Sequence, residues 1–285
     1  MPNAGEFDAP SPVLPQDPDW LPPEINTGVP HTARVYDYWL GGKDNFAADR
    51  ALGDALIEAM PATRFVARAN RAFLGRAVRY LAGEAGIRQF LDIGTGIPAA
   101  GNTHEVAQAV APDSRVVYVD NDPIVMAHAR ALMASHPAGA TAFIQADLRD
   151  PEKILAHPDL RATLDLGKPV ALMLIAILHF LSDEENAQGV VSRLLDALPS
   201  GSCLAVTNLT TDFLDPERAA VAVSAAQGSG ITYVPRTEEQ VAAFFAGLDM
   251  VAPGVVPVLA WRPDPDDVPE DPRAAYVYAA VGRKP

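Results

Sequence analysis

The stretch LDIGTGIPAAGNTHEV, Leu91 to Val106, joins an apolar run to a glycine turn and then to a helix start. Such a passage is the first crossover of a helix-covered parallel sheet. Asn102-Thr103-His104-Glu105 has the form of an N-cap with an acid at N3. Pro98, Ala99, Ala100 and Gly101 separate that cap from Gly96. The helix therefore begins late, and the glycines sit in a widened loop rather than against a helix N-terminus.

Outward from this crossover the pattern alternates between β-branched runs and amphipathic stretches. Strands are expected at Gln89 to Ile93, Arg115 to Val119, Ala140 to Gln145, Val170 to Leu178, Cys203 to Asn208, Met250 to Val258 and Ala275 to Val281. Helices are expected at Thr103 to Ala111, Pro123 to Ser135, Asp183 to Leu198, Pro216 to Gln227 and Glu238 to Gly247, the last opened by a capping-box spacing from Thr237 to Gln240. Before the sheet, helical segments run from Ala33 to Leu40, Ala47 to Ala59 and Ala62 to Ala82. Residues 1–30, rich in Pro, Asp and Glu, read as an extended arm pinned by Trp20 and Leu21. The expected organisation is arm 1–30, helical accessory region 31–84 and main α/β domain 85–285.

The chain has 285 residues, of which 49% are hydrophobic, enough for a large core. A net charge of -14 disfavours a nucleic-acid partner, because phosphate backbones demand a positive field. Cys203 is the single cysteine and lies in an apolar run, so it reads as a buried core residue. No Lys or Arg precedes Arg34, and no apolar run approaches membrane-spanning length, so a soluble cytoplasmic protein is expected. The histidines show no metal-ligand spacing, and no metal is implied.

Two cofactor templates fit the glycine turn. Gly94-x-Gly96-x-x-Ala99 satisfies a relaxed dinucleotide fingerprint, whereas Asp92-x-Gly94-x-Gly96 fits a site for S-adenosylmethionine (SAM). A dinucleotide fold sets its pyrophosphate on the helix N-terminus, which the late helix start removes. SAM carries no phosphate. Gly94, Thr95 and Gly96 allow close backbone approach to its methionine part, and Asp92 can accept from its ammonium. Asp120, at the end of VVYVD about 25 residues after the glycines, suits the two ribose hydroxyls, with Asn121 beside it. Asp147 follows the third strand, where its carboxylate can accept from an adenine amino group while the Leu148 N–H donates to the ring. The acid after strand two serves either template; the Asp-Leu pair after strand three favours SAM.

The blocks HTARVYDYWLGGKDNFAADR, FLDIGTGIPAAGNTHEVAQ and VVYVDNDPIV, in that order, resemble the class I, Rossmann-like SAM-dependent methyltransferases. More narrowly, they resemble a bacterial family of S-adenosyl methyltransferases with unassigned substrates. The resemblance implies a seven-stranded sheet of order 3-2-1-4-5-7-6 with only the seventh strand antiparallel. It also makes the N-terminal block a helical lid over the cofactor. Arg34, Tyr36, Tyr38, Gly42 and Asn45 then become cofactor-side residues, with Arg34 pairing with the methionine carboxylate and an aromatic face near the sulfonium. Asn102 and His104, in the loop after the glycines, join them.

Ligands of open α/β sheets collect beyond the C-terminal strand ends. His179, after the fourth strand, is the candidate base, and Asn208, after the fifth, the candidate acceptor-orienting residue. The leading function is methyl transfer from SAM to a small-molecule acceptor, yielding S-adenosylhomocysteine. The competing readings are a non-catalytic SAM-binding sensor and an NAD(P)-dependent oxidoreductase.

Overall fold

The computed structural model describes residues 26–228, 231–265 and 268–285. The expected pins Trp20 and Leu21 lie outside them, as does most of the arm. Three helices come first: α1 (Thr32–Leu40), α2 (Ala47–Ala59) and α3 (Thr63–Gly83). The sheet then alternates β1 (Gln89–Ile93), α4 (Thr103–Val110), β2 (Arg115–Asp120), α5 (Pro123–Leu132) and β3 (Ala140–Gln145). After α6 (Pro151–Ala156) and α7 (Pro158–Thr163) come β4 (Ala171–Ile175), α8 (Ala187–Asp196), β5 (Cys203–Leu209) and α9 (Pro216–Gly228). The chain closes with α10 (Glu238–Ala243), β6 (Asp249–Met250), β7 (Val256–Pro257) and β8 (Val277–Arg283).

The strand order is β3-β2-β1-β4-β5-β8-β6, with β7 paired beside β8. Neighbours from β3 to β5 are parallel, and β8 runs antiparallel to β5, β6 and β7. This is the expected Rossmann-like order, with the C-terminal strand in the antiparallel place. The extra strand arises because the expected run Met250 to Val258 is interrupted at Pro253-Gly254, where Gly254 has φ +89°. The expected fourth strand is likewise shorter. Ala176 has φ +55° and its N–H donates to Thr207 Oγ1 (2.8 Å) instead of continuing the ladder, and Leu178–Phe180 form a 3₁₀ turn.

Both faces of the sheet are covered. Leu91 and Ile93 point into one core with Val117, Val119, Leu172 and Leu204, packed under α6, α7 and α8. Phe90 points into the other with Val116, Tyr118, Ala171 and Ala205. Phe73, Leu74, Ala77, Val78 and Leu81 of α3 fill much of that second core. The helix α3, which falls within the expected accessory region 31–84, thus packs directly on the sheet. Cys203 is buried in this core, where desolvation pushes its thiol up to about 11. Among the described residues, no helix is long and apolar enough to cross a membrane.

Candidate functional site

A cavity of about 420 Å³ opens beyond the C-terminal ends of β1 to β5, roofed by α1 and α2. Its size lies in the range of small-molecule sites. The loop after β1 forms one wall. Gly94 has φ +78°, and a Cβ there would stand 2.6 Å from the Ile177 side chain, so only glycine fits. Gly96, also left-handed at φ +68°, donates its N–H to Asp120 Oδ2 (2.8 Å). As expected from its cap, α4 starts at Thr103, and the Glu105 carboxylate accepts from Asn102 N–H (3.1 Å) and Gly101 N–H (2.7 Å).

Three carboxylates line this half of the cavity. Asp92 is buried at 4% exposure, and its Oδ2 accepts from the Thr103 hydroxyl (2.6 Å). Desolvation pushes it up to about 6, despite the Thr103 bond and the positive charge of Arg71. Asp120 is also raised by burial, while the N–H groups of Asp122 (3.0 Å) and Gly96 favour its ionised form. Asp147 differs. Burial opposes its ionisation, but the Arg149 N–H (2.9 Å), Asn121 Nδ2 (2.9 Å) and the Arg149 guanidinium together hold it below the usual carboxylate range. Thr95, Asn121 and Leu148 complete this wall.

Of the N-terminal residues, Tyr36 lines the cavity, joined by His31, Ala33 and Trp39, which sequence reasoning did not select. Tyr36 donates to Ala67 O (3.0 Å) and accepts from Asn70 Nδ2 (3.0 Å). Arg34, Tyr38, Gly42 and Asn45 do not line it, because they build the helical hairpin itself. Arg34 Nε bonds the fully buried Asp49 (3.1 Å), whose oxygens also accept from His31 N–H and Phe46 N–H. Tyr38 donates to Asp54 (2.6 Å) under the Arg64 guanidinium. Asn45 Nδ2 donates to Asp37 (2.8 Å), and Gly42 lies so close to that carboxylate that a Cβ would stand 1.9 Å from Asp37 Oδ1. The N-terminal helices meet the sheet layer where His31 Nδ1 faces Asp122 Oδ2 (3.0 Å) and where His128 Nδ1 lies 4.0 Å from Asp44.

Asn102 and His104 are also off the cavity wall. Asn102 Oδ1 accepts from Ala99 N–H (3.2 Å). His104, at 2% exposure, turns into the core, its backbone N–H and Nδ1 both meeting the Tyr118 hydroxyl (2.7 and 2.8 Å). Sequence reasoning missed two cations of the wall, Arg149 beside Asp147 and Arg71. Arg71 stands at the cavity wall near Asp92, with its guanidinium 3.1 Å from Ala100 O. On α3 it occupies the third turn of an ordinary amphipathic helix, and nothing in the local pattern marks it.

The other half of the cavity lies over β4, β5 and β8. His179, on the 3₁₀ turn, lines it at 5% exposure, with Nδ1 unpartnered and its ring stacked on Tyr233 (6.0 Å). Burial, aided by Arg236, lowers its pKa to about 3, so the imidazole is neutral at physiological pH. Arg236 fixes this turn by donating to Leu178 O (2.7 Å) and Leu181 O (3.0 Å). Asn208 reaches the same wall, but its Nδ2 donates to Leu209 O (2.8 Å) and its Oδ1 accepts from Arg236 (3.1 Å). Its amide is already committed to the fold. Among the described residues, no cluster of side chains is suited to a metal ion.

A profile of a family described as S-adenosyl methyltransferase matches residues 18–285. The crystal structure of a DUF574-family protein from Streptomyces avermitilis is 50% identical, covering 91% of this chain and 99% of its own, with a TM-score of 0.88. A structure from Thermobifida fusca, provisionally assigned as a methyltransferase, is 46% identical over 93% of this chain and 99% of its own, with a TM-score of 0.82. No curated protein matches the sequence.

Proposed function

Because this chain belongs to the S-adenosyl methyltransferase family and is a SAM-dependent enzyme, we propose that the cavity over β1 to β3 is its cofactor site. The nicotinamide and sensor readings are not favoured. The observation that carries the assignment is a row of three carboxylates beside a glycine turn in which Gly94 has no room for a Cβ. Asp92 and Arg71 are placed to receive the ammonium and carboxylate of the methionine part, with Gly94, Thr95 and Gly96 along its chain. A buried carboxylate raised to about 6 gains from a cationic partner, and such a bond contributes about 1.5–3 kcal/mol. Asp120, with Asn121, holds the ribose hydroxyls; Asp147 and the Leu148 N–H read the adenine edge. Tyr36 and Trp39 of α1 cover the ligand, so α1 and α2 form the lid.

When bound, SAM supplies a sulfonium-activated methyl carbon, which passes to the acceptor heteroatom as the C–S electron pair returns to sulfur and S-adenosylhomocysteine leaves. The chain's own work is alignment and exclusion of water, which can supply on the order of 7–11 kcal/mol. His179, held near pKa 3, does not retain the acceptor's proton at neutral pH. It orients the acceptor as a neutral imidazole, and the proton leaves to water. The acceptor is a small molecule.

Incubation with methyl-labelled SAM and a small-molecule extract tests this reading. A labelled small-molecule product is expected, with S-adenosylhomocysteine but not NAD competing. Competition by NAD, or cofactor binding without any methylated product, contradicts it.

A further inference from the structure

Resting on that cofactor placement, we propose that the acceptor is an uncharged, largely apolar, ring-bearing molecule. It occupies the half of the cavity over β4, β5 and β8, with its heteroatom hydrogen-bonded to His179. The two halves of the cavity differ sharply in charge. Asp92, Asp120, Asp147 and Arg71 lie on the cofactor half, and Arg149 stands at the junction, paired with Asp147 and Glu185 and donating to Phe180 O (3.0 Å). The other half, among the described residues, is lined by no Asp, Glu, Lys or Arg. Its apolar surface comes from Leu56 of α2 and Met60 just after it, Ile177 after β4, Leu214 before α9, and the rings of Phe180 and Tyr233. A charged acceptor would lose its hydration there without gaining a partner, whereas an aromatic or aliphatic ring loses nothing.

Three of the polar side chains at this end are already spent on the fold. Thr207 donates to Asn70 Oδ1 (2.6 Å) and accepts from Ala176 N–H, and the Asn208 amide and the Arg236 guanidinium bond the chain as described. His179 differs from these, and the Thr211, Thr232, Tyr233 and Tyr276 side chains that share its half of the wall are uncharged. The His179 Nδ1 is buried without a partner, and its ring packs against Phe180 (4.3 Å) and Tyr233 (6.0 Å), which also touch each other. An unpaired Nδ1 is cheapest as a bare lone pair, which puts the ring proton on Nε2 and makes the imidazole a hydrogen-bond donor. A neutral donor suits an uncharged hydroxyl, amine or carbonyl-bearing ring and adds no charge to the chamber.

The test uses two matched probes, 2-naphthol and 6-hydroxy-2-naphthoate, titrated calorimetrically into full-length protein saturated with S-adenosylhomocysteine. The naphthol is expected to bind at least about tenfold more tightly than the carboxylate, the difference being the uncompensated burial of a charge. Leu214→Asp and, separately, Leu56→Asp are expected to abolish naphthol binding while S-adenosylhomocysteine affinity is unchanged, which also shows that the variants fold. His179→Phe is expected to weaken naphthol but not naphthalene. Equal or tighter binding of the carboxylate, or naphthol binding indifferent to both aspartates, overturns the proposal. Failure of S-adenosylhomocysteine itself to bind would instead refute the cofactor placement, a separate outcome read in the same instrument.

Discussion

Asp92 is the place where cofactor binding and stability pull in opposite directions. Its carboxyl, buried at 4% exposure, is raised from 3.8 to about 6, chiefly by desolvation. A folded-state pKa above the unfolded value means that the native state binds the proton more tightly. The associated stability is fully present below pH 3.8 and is lost as pH rises through about 6. At pH 8 the ionised carboxylate therefore costs the ligand-free protein about 3 kcal/mol. Asp92→Asn keeps an oxygen to accept from Thr103 Oγ1 and removes the charge. With unfolding entropy of about 2.1 cal/mol/K per residue over this chain, the variant should melt about 5 °C higher than wild type at pH 8. The gap should close toward pH 4, where both side chains are neutral. In calorimetry the same variant should bind SAM at least about tenfold more weakly, having lost a charge-assisted bond to the ammonium. A variant that melts at or below the wild-type temperature at pH 8, or whose gap is independent of pH, would refute the reasoning.

Other perturbations reach different parts of the account. Arg34→Ala leaves the Asp49 carboxylate buried without its cation and should cost about 3–5 kcal/mol, read by denaturant unfolding; a loss below 1 kcal/mol, within the range of exposed pairs, would show the pair to be dispensable. Gly94→Ala forces a Cβ against Ile177 at φ +78° and should destabilise by about 1–3 kcal/mol while weakening S-adenosylhomocysteine binding, seen together in melts with and without ligand. His179, lowered to about 3, contributes stability that is lost as pH falls below its unfolded value of 6.5. His179→Phe should therefore resist acid better than wild type between pH 6 and 4, whereas a rate profile with a His179 ionisation near pH 7 would contradict its burial.

Periodicity and turn chemistry carry most of the fold. The strands β1 and β3 and the helix α2 occupy their expected spans, and the capping residues Asn102 and Thr237 open α4 and α10 as their sequences indicate. The misses have local causes. The helices α6 and α7 are too short for a helical period to show, although Asp150-Pro151 and His157-Pro158 are cap-and-proline starts. The end of β4 is set by Thr207, a side chain from another strand, which no local pattern reveals. The same division holds at the site. Asp92, Gly94, Gly96, Asp120, Asp147 and Leu148 were legible because strand ends place them on the cavity wall whatever the rest does. Arg34, Asn45 and His104 were polar residues in the right blocks whose partners, Asp49, Asp37 and Tyr118, lie 15, 8 and 14 residues away and claim them for the fold. Arg71 was missed because a cation on a long helix is ordinary until the tertiary fold sets it beside Asp92.

The cofactor site stands or falls on one carboxylate, Asp120, which closes the second strand and already receives the Gly96 and Asp122 N–H groups. A calorimetric titration of S-adenosylhomocysteine into wild type and Asp120→Ala, both checked for cooperative melting, measures its part directly. One site per chain is predicted for wild type, with affinity at least about tenfold weaker in the variant. No binding to folded wild type, or equal affinity in the two proteins, would contradict the account.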